Sequence, residues 1–351
     1  MDKERAIYYI ENSFLSPLLS DENITDISFN GQDIFYVDNY KGRQKSDILI
    51  EHQLAKDFLR QIANLSEQQF SFTNPILDVS IGKYRINATH QSIGKIKDND
   101  VVTFSVRIAS NKPKINDQSN FFTPPIVDLL KELLINRQSI IIGGLTSSGK
   151  TEFQKYLLRS MRNNERVIVI DNVMELDSIR EDGNVDLTCW KVDERNSYSS
   201  CGILIKNALR NNPDWLILAE ARDKEMVDVL NSAMTGAPII TTIHSQDAKS
   251  LPFRMGRMVQ RSEQKMDYDE VLKDIYYHFH FYIYLSKVEK KGKIERCISQ
   301  IGFISSEGKY TSIYEKRGGK DTYNPLPKES LILFKDENKL PLFEQYFLGG
   351  K

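Results

Sequence analysis

The stretch SIIIGGLTSSGKT, residues 139–151, decides the reading of this chain. Three consecutive isoleucines after Ser139 make a short apolar run without alternation, the pattern of a strand buried on both faces. The run breaks into glycines and a polar turn. From Gly144 through Leu145, Thr146, Ser147, Ser148 and Gly149 to Lys150 and Thr151 the spacing is G-x-x-x-x-G-K-T, and helical sequence follows. Between a strand and a helix, such a turn aims backbone N–H groups and a helix N-terminus at an anion. The eight residues therefore predict a cradle for the phosphates of ATP. Lys150 is expected to reach the β- and γ-phosphates, and the Thr151 hydroxyl to ligate Mg2+.

Working outward, Pro124 and Pro125 open a helix that runs to about residue 134. Buried strands are legible at 167–171, 215–219 and 239–244, each separated by helical sequence, which predicts a mostly parallel sheet covered on both faces. Ligands of such sheets sit at the carboxyl ends of the strands. Leu216-Ile217-Leu218-Ala219 leads to Glu220, the candidate general base for an attacking water. The strand at 167–170 ends in Asp171, with Glu175 four residues on; this second acidic cluster could hold metal-bound waters or position the nucleophile. His244 closes the run TTIH and is placed to sense the γ-phosphate, although a core or surface histidine is the simpler account of that residue alone.

Toward the N-terminus the pattern changes to a small α+β domain. Apolar residues at helical spacing over 7–19 predict one helix, 24–29 and 34–37 a hairpin around Asn30-Gly31, and 52–65 a second helix. Strands follow near 76–79, 83–89 and 101–108. Residues 110–123 are polar, contain Pro113 and show no clear periodicity, so they read as a linker. The tail alternates over 280–288, 294–303 and 310–314, predicting antiparallel hairpins, and 335–351 reads as a cap. Arg85 in GKYRIN and Arg107 in FSVR stand on N-terminal strands, where a guanidinium could form bidentate bonds to phosphate.

The bulk properties narrow the setting. Lys and Arg total 47 against 48 Asp and Glu, a net charge of -1, so no global field draws the protein to nucleic acid or anionic lipid. There is no dense basic stripe with aromatic platforms, and direct nucleic-acid binding is not expected. Cys189, Cys201 and Cys297 fit neither a disulfide framework nor a zinc site. With no signal-peptide core and no apolar run of about 20 residues, a cytoplasmic protein is expected, meeting any membrane from one side.

Four motifs in order resemble the type II/type IV secretion ATPase superfamily, especially its type IV secretion and tight-adherence pilus branch. They are the loop at 144–151, DNVMEL at 171–176, ALRNNPDWLILAEAR at 208–222 and TTIHSQDA at 241–248. LSDENITDISFNGQDIFYV at 19–37 is similar to the family's N-terminal domain. The resemblance implies a homohexameric ring with nucleotide between the two domains of each subunit, docked on an inner-membrane secretion or pilus platform protein. It also implies roles: Glu220 as catalytic glutamate, Glu175 as acidic-box carboxylate, His244 as histidine-box residue, and Arg85 and Arg107 as γ-phosphate contacts acting within a subunit or across an interface. Departures are Leu145 and Ser147 in place of loop glycines, Ala219 before the glutamate, and TGAP at 235–238 without the histidine that often follows TG.

The expected fold is α/β: a small α+β domain over 1–109, the linker over 110–123, and a RecA-like P-loop NTPase domain over 124–351 with C-terminal β-hairpins. The expected function is an ATP- and Mg2+-dependent motor for type IV secretion, conjugation or pilus assembly. The rivals are a nucleotide-gated scaffold with little turnover and a DNA translocase.

Overall fold

The computed structural model describes residues 3–109, 113–182, 185–193, 196–223, 225–262, 266–290, 292–335 and 339–349. It divides into two compact units, Met1–Lys112 with Val288–Glu295, and Pro113–Lys287 with Arg296–Lys351.

The first unit contains α1 (Lys3–Glu11), α2 (Ser16–Leu19), β1 (Ile24–Phe29), β2 (Ile34–Asp38), β3 (Gly42–Lys45), α3 (His52–Leu65), β4 (Ile76–Ile81), β5 (Tyr84–Thr89), the short β6 (Lys95–Ile96) and β7 (Asn99–Asp100), and β8 (Thr103–Ile108). Six of these strands form an antiparallel sheet in the order β3-β2-β1-β8-β5-β4. In α3 the buried residues are Ala55, Phe58, Leu59, Ile62 and Ala63, one stripe at helical spacing, and they join the same core as Ile27, Ile86 and Val106 of the sheet. The single helix expected over 7–19 is two. Ser13 bonds locally, its hydroxyl donating to the Ile10 carbonyl and accepting from the Leu15 N–H, and Pro17 then restarts the coil at the head of α2.

The second unit holds α4 (Pro124–Ile135), β9 (Ile140–Gly144), α5 (Lys150–Arg159), β10 (Arg166–Asp171), β11 (Asp186–Lys191), α6 (Cys201–Leu209), β12 (Trp215–Leu218), α7 (Glu225–Ala233), β13 (Ile239–Ile243), α8 (Leu251–Gln260), α9 (Tyr268–His278), β14 (Phe281–Lys290), β15 (Lys293–Ile304), β16 (Tyr310–Arg317), β17 (Lys320–Tyr323) and α10 (Pro341–Phe347). Among the described residues the strands make one sheet in the order β11-β10-β12-β13-β9-β14-β15-β16-β17. β11 to β14 run parallel, and β15, β16 and β17 pair antiparallel. Neighbouring residues of β9 feed opposite faces. Ile140 and Ile142 join a core with α4 and α5, and Ile141 joins one with residues of α6 to α9. Burying each isoleucine contributes about 1.5–3 kcal/mol, which is why an unbroken apolar run is required here.

Three features add to the sequence reading. The tail forms the expected antiparallel pairs, and β14 in addition pairs in parallel with β9 from Phe281 to Leu285, so the tail continues the main sheet. Residues 110–112 of the expected linker lie outside the described residues. The remainder, 113–123, carries no helix or strand but packs Ile115, Phe121 and Phe122 into the second unit's core, so three apolar side chains anchor it. Finally, the tip Val288–Glu295 groups with the first unit: the Ile294 N–H donates to the Tyr40 carbonyl at 2.6 Å, and its side chain lies against Gly42.

Candidate nucleotide-binding site

β9, the first parallel strand in the chain, lies between β13 and β14, which come last. Such a reversal of strand order opens a crevice at the carboxyl edge, and the loop after β9 stands there. The ends of β13, β12 and β10 follow in sequence along that edge, bringing His244, Glu220 and Asp171 to it.

The loop's shape comes from two left-handed residues. Gly149 caps α5 with φ +98°, and Ser147 has φ +62°. A side chain at Gly144 would run into the Ser148 hydroxyl and the Leu285 carbonyl, so close passage of β14 demands glycine there. Leu145 is exposed and Thr146 borders the turn. Lys150 opens α5, with Thr151 next to it and half-buried.

A polar chain crosses the mouth of the loop. The Lys150 ammonium donates to the carbonyls of Gly144 and Leu145, both at 3.0 Å, and lies 3.4 Å from His244 Nδ1. His244 Nε2 is 3.1 Å from Glu220 Oε1, and the other oxygen, Oε2, accepts from Arg222 Nε at 3.1 Å and Nη2 at 2.8 Å. An ammonium only donates, so Nδ1 offers it a lone pair, while Nε2 stands within ion-pair distance of Glu220. The carboxylate beside Arg222 raises the guanidinium pKa further above its ordinary value, against burial that lowers it. Thr242 Oγ1 donates to the Ala219 carbonyl at 2.8 Å, and Gln154 Nε2 to the Leu218 carbonyl at 3.1 Å, so β13 and α5 hold the backbone leading to Glu220.

Asp171 is buried, and its two oxygens accept from the N–H groups of Val173 at 2.9 Å and Leu176 at 3.4 Å. Its carboxylate thus shapes the turn that presents Glu175, in which Met174 is left-handed. Arg85 and Arg107 lie in the first unit directly opposite each other in the β5–β8 register, with Arg85 also bonded to Asp78 at 3.3 and 3.4 Å.

The site fits a phosphate chain with a hard cation. The Ser148 hydroxyl is buried without a hydrogen-bond partner, an orphaned donor inside the loop. Among the described residues no group of three His, Cys, Asp or Glu could hold a metal. Mg2+ is commonly bound through one or two protein oxygens, with phosphate and water as its other ligands.

Two contacts were not legible in the sequence. Arg222 is joined to Glu220, and Arg296 of β15 donates from Nε to the Ser147 carbonyl at 2.8 Å. Arg222 could have been sought two residues after a candidate base; nothing in the sequence around Arg296 marks a residue 149 positions from the loop.

The family described as type II/IV secretion system protein matches residues 102–272. An uncharacterized protein of Bacillus anthracis is 30% identical over 320 residues, 86% of this chain and 70% of that relative. The type IV secretion system protein VirB11 of Bartonella quintana is 25% identical over 240 residues, 58% of this chain and 66% of its own. Among solved structures, the Legionella pneumophila ATPase DotB has the same fold, with a TM-score of 0.64 at 19% identity over 84% of this chain and 79% of that one.

Proposed function

The chain belongs to the type II/IV secretion system protein family, and on that premise we propose that it is an ATPase whose turnover drives a type IV secretion, conjugation or pilus-assembly machine. The carrying observation is the chain of contacts from Lys150 through His244 to Glu220 beside a glycine-capped loop. The loop N–H groups and the start of α5 bind phosphate oxygens. Lys150 exchanges the Gly144 and Leu145 carbonyls for β- and γ-phosphate oxygens. Glu220 receives the proton of the attacking water, and His244, touching both Lys150 and Glu220, links phosphate occupancy to the base. Thr151 would hold Mg2+, which when bound would neutralise the charge that builds on the transferred group. Glu175 orients the water or the metal's ligands, with Asp171 fixing its turn. Arg85 and Arg107 are read as γ-phosphate ligands supplied within one subunit or by a neighbour. The working form is a homohexamer engaged with a membrane-bound platform protein.

One observation favours the scaffold reading: both Glu220 oxygens are engaged, Oε2 by a bidentate guanidinium, so the base is held until Arg222 moves. Substitution separates the two. In a motor, Glu220→Gln retains ATP binding and lowers phosphate release by roughly 100-fold or more, the usual worth of a general base. In a scaffold, phosphate release is negligible before the change. Lys150→Ala is expected to lose binding and hydrolysis together, and hydrolysis at the unaltered rate would sink the reading.

A further inference from the structure

We infer that Arg296 is a positioning residue for nucleotide, bracing the phosphate loop in a shape that its own sequence disfavours. The inference rests on the loop being the nucleotide site. Ser147 sits at φ +62°, where an L side chain crowds the neighbouring carbonyl. Gly149 also has positive φ but carries no Cβ, so the local strain falls on Ser147. The carbonyl of this strained residue accepts the Arg296 Nε–H at 2.8 Å. The donor carries a permanent charge, which makes the bond stronger than a neutral one. The same side chain follows the loop to its other turn, since a Cβ on Gly149 would stand 3.8 Å from Arg296 Cδ.

The brace is anchored at its far end. Two residues on, the Ile298 N–H donates to the Phe121 carbonyl at 2.9 Å, and the Phe121 ring packs against Phe153 of α5 with centroids 5.8 Å apart. Arg296, the loop and α5 therefore belong to one packed assembly within the second unit. A loop whose turn is already fixed before phosphate arrives binds with less ordering cost, so removing the brace weakens affinity more than it slows chemistry.

The experiment is a double-mutant cycle on the full chain, reading the affinity for a fluorescent ATP analogue with Mg2+ and the turnover at saturation. Arg296→Ala is expected to weaken binding about tenfold, equivalent to about 1.4 kcal/mol, with kcat changed less than about twofold. Arg296→Lys, which keeps the charge but not the planar donor, recovers only part of this. In a Ser147→Gly background, where the left-handed turn is free of strain, Arg296→Ala costs less than about twofold. A merely structural arginine would lose the same affinity in either background. If Lys150→Ala binds the analogue as well as the unaltered protein, the nucleotide-site reading fails. If Lys150→Ala abolishes binding while Arg296→Ala matches the unaltered protein, or if Ser147→Gly leaves the Arg296→Ala loss unchanged, this inference fails alone.

Discussion

His244 stands between the lysine of the proposed phosphate grip and the proposed base. Its ring spans 3.4 Å to Lys150 and 3.1 Å to Glu220. In the proposed cycle, moving Lys150 onto phosphate removes the donor at Nδ1 and leaves the contact at Nε2, so the ring would keep Glu220 aimed while the lysine leaves. His244→Ala is expected to leave nucleotide affinity within about threefold and lower kcat roughly tenfold, the worth of one positioned hydrogen bond of about 1.4 kcal/mol. A loss confined to affinity, measured by comparing KM with kcat, would assign the ring to binding instead. The cysteines stand apart from this chemistry. Burial, then a hydrogen bond to Asp177, pushes the Cys189 thiol up to about 12, which keeps it protonated and unreactive at neutral pH.

Among the elements, α1 shows how a short helix is held to a sheet. Its buried residues are Ala6 and Ile10, and its last residue, Glu11, accepts from the Tyr84 hydroxyl of β5 at 2.7 Å and pairs with Lys83 at 3.2 Å. The Tyr84 hydrogen bond holds the Glu11 carboxyl below the usual carboxylate range; partial burial opposes it, and Lys83 adds to it. A depressed folded pKa means the contribution is full above the unfolded value and is lost as pH falls through the folded one. Because both side chains of the Lys83 pair are over a third exposed, the stake is about 1 kcal/mol or less. Amide exchange of residues 3–11 is therefore expected to accelerate in acid beyond its intrinsic pH trend, and Glu11→Gln to flatten that acceleration. An identical pH profile in the variant would mean that Ala6 and Ile10 alone hold the helix.

At the scale of the whole molecule, charge is nearly balanced, and among the described residues no helix is long and apolar enough to cross a membrane. The proposed ring is a matter for direct measurement of mass with and without nucleotide. With ATP analogue and Mg2+, sedimentation is expected to give about six times the 40.5 kDa chain mass, and Lys150→Ala to reduce that share. A single-chain mass under both conditions would remove the ring from the proposal. DNA is expected to leave hydrolysis unchanged; stimulation that fades steeply with salt would instead favour the translocase.

What the sequence determined by itself was whatever depends on near neighbours in the chain. The isoleucine run at 140–142, the turn of glycines and Lys150 form one strand, loop and helix, because burial, backbone freedom and the helix terminus are local properties. Strand ends carrying Glu220, Asp171 and His244 were legible for the same reason. Tertiary structure alone decided which distant groups meet. The parallel pairing of β14 with β9 was hidden because its alternating polar residues suit an antiparallel hairpin equally well. Arg222 on Glu220 and Arg296 on the Ser147 carbonyl leave no periodic trace, since a single guanidinium on a long flexible stem can bond wherever folding brings an acceptor within reach.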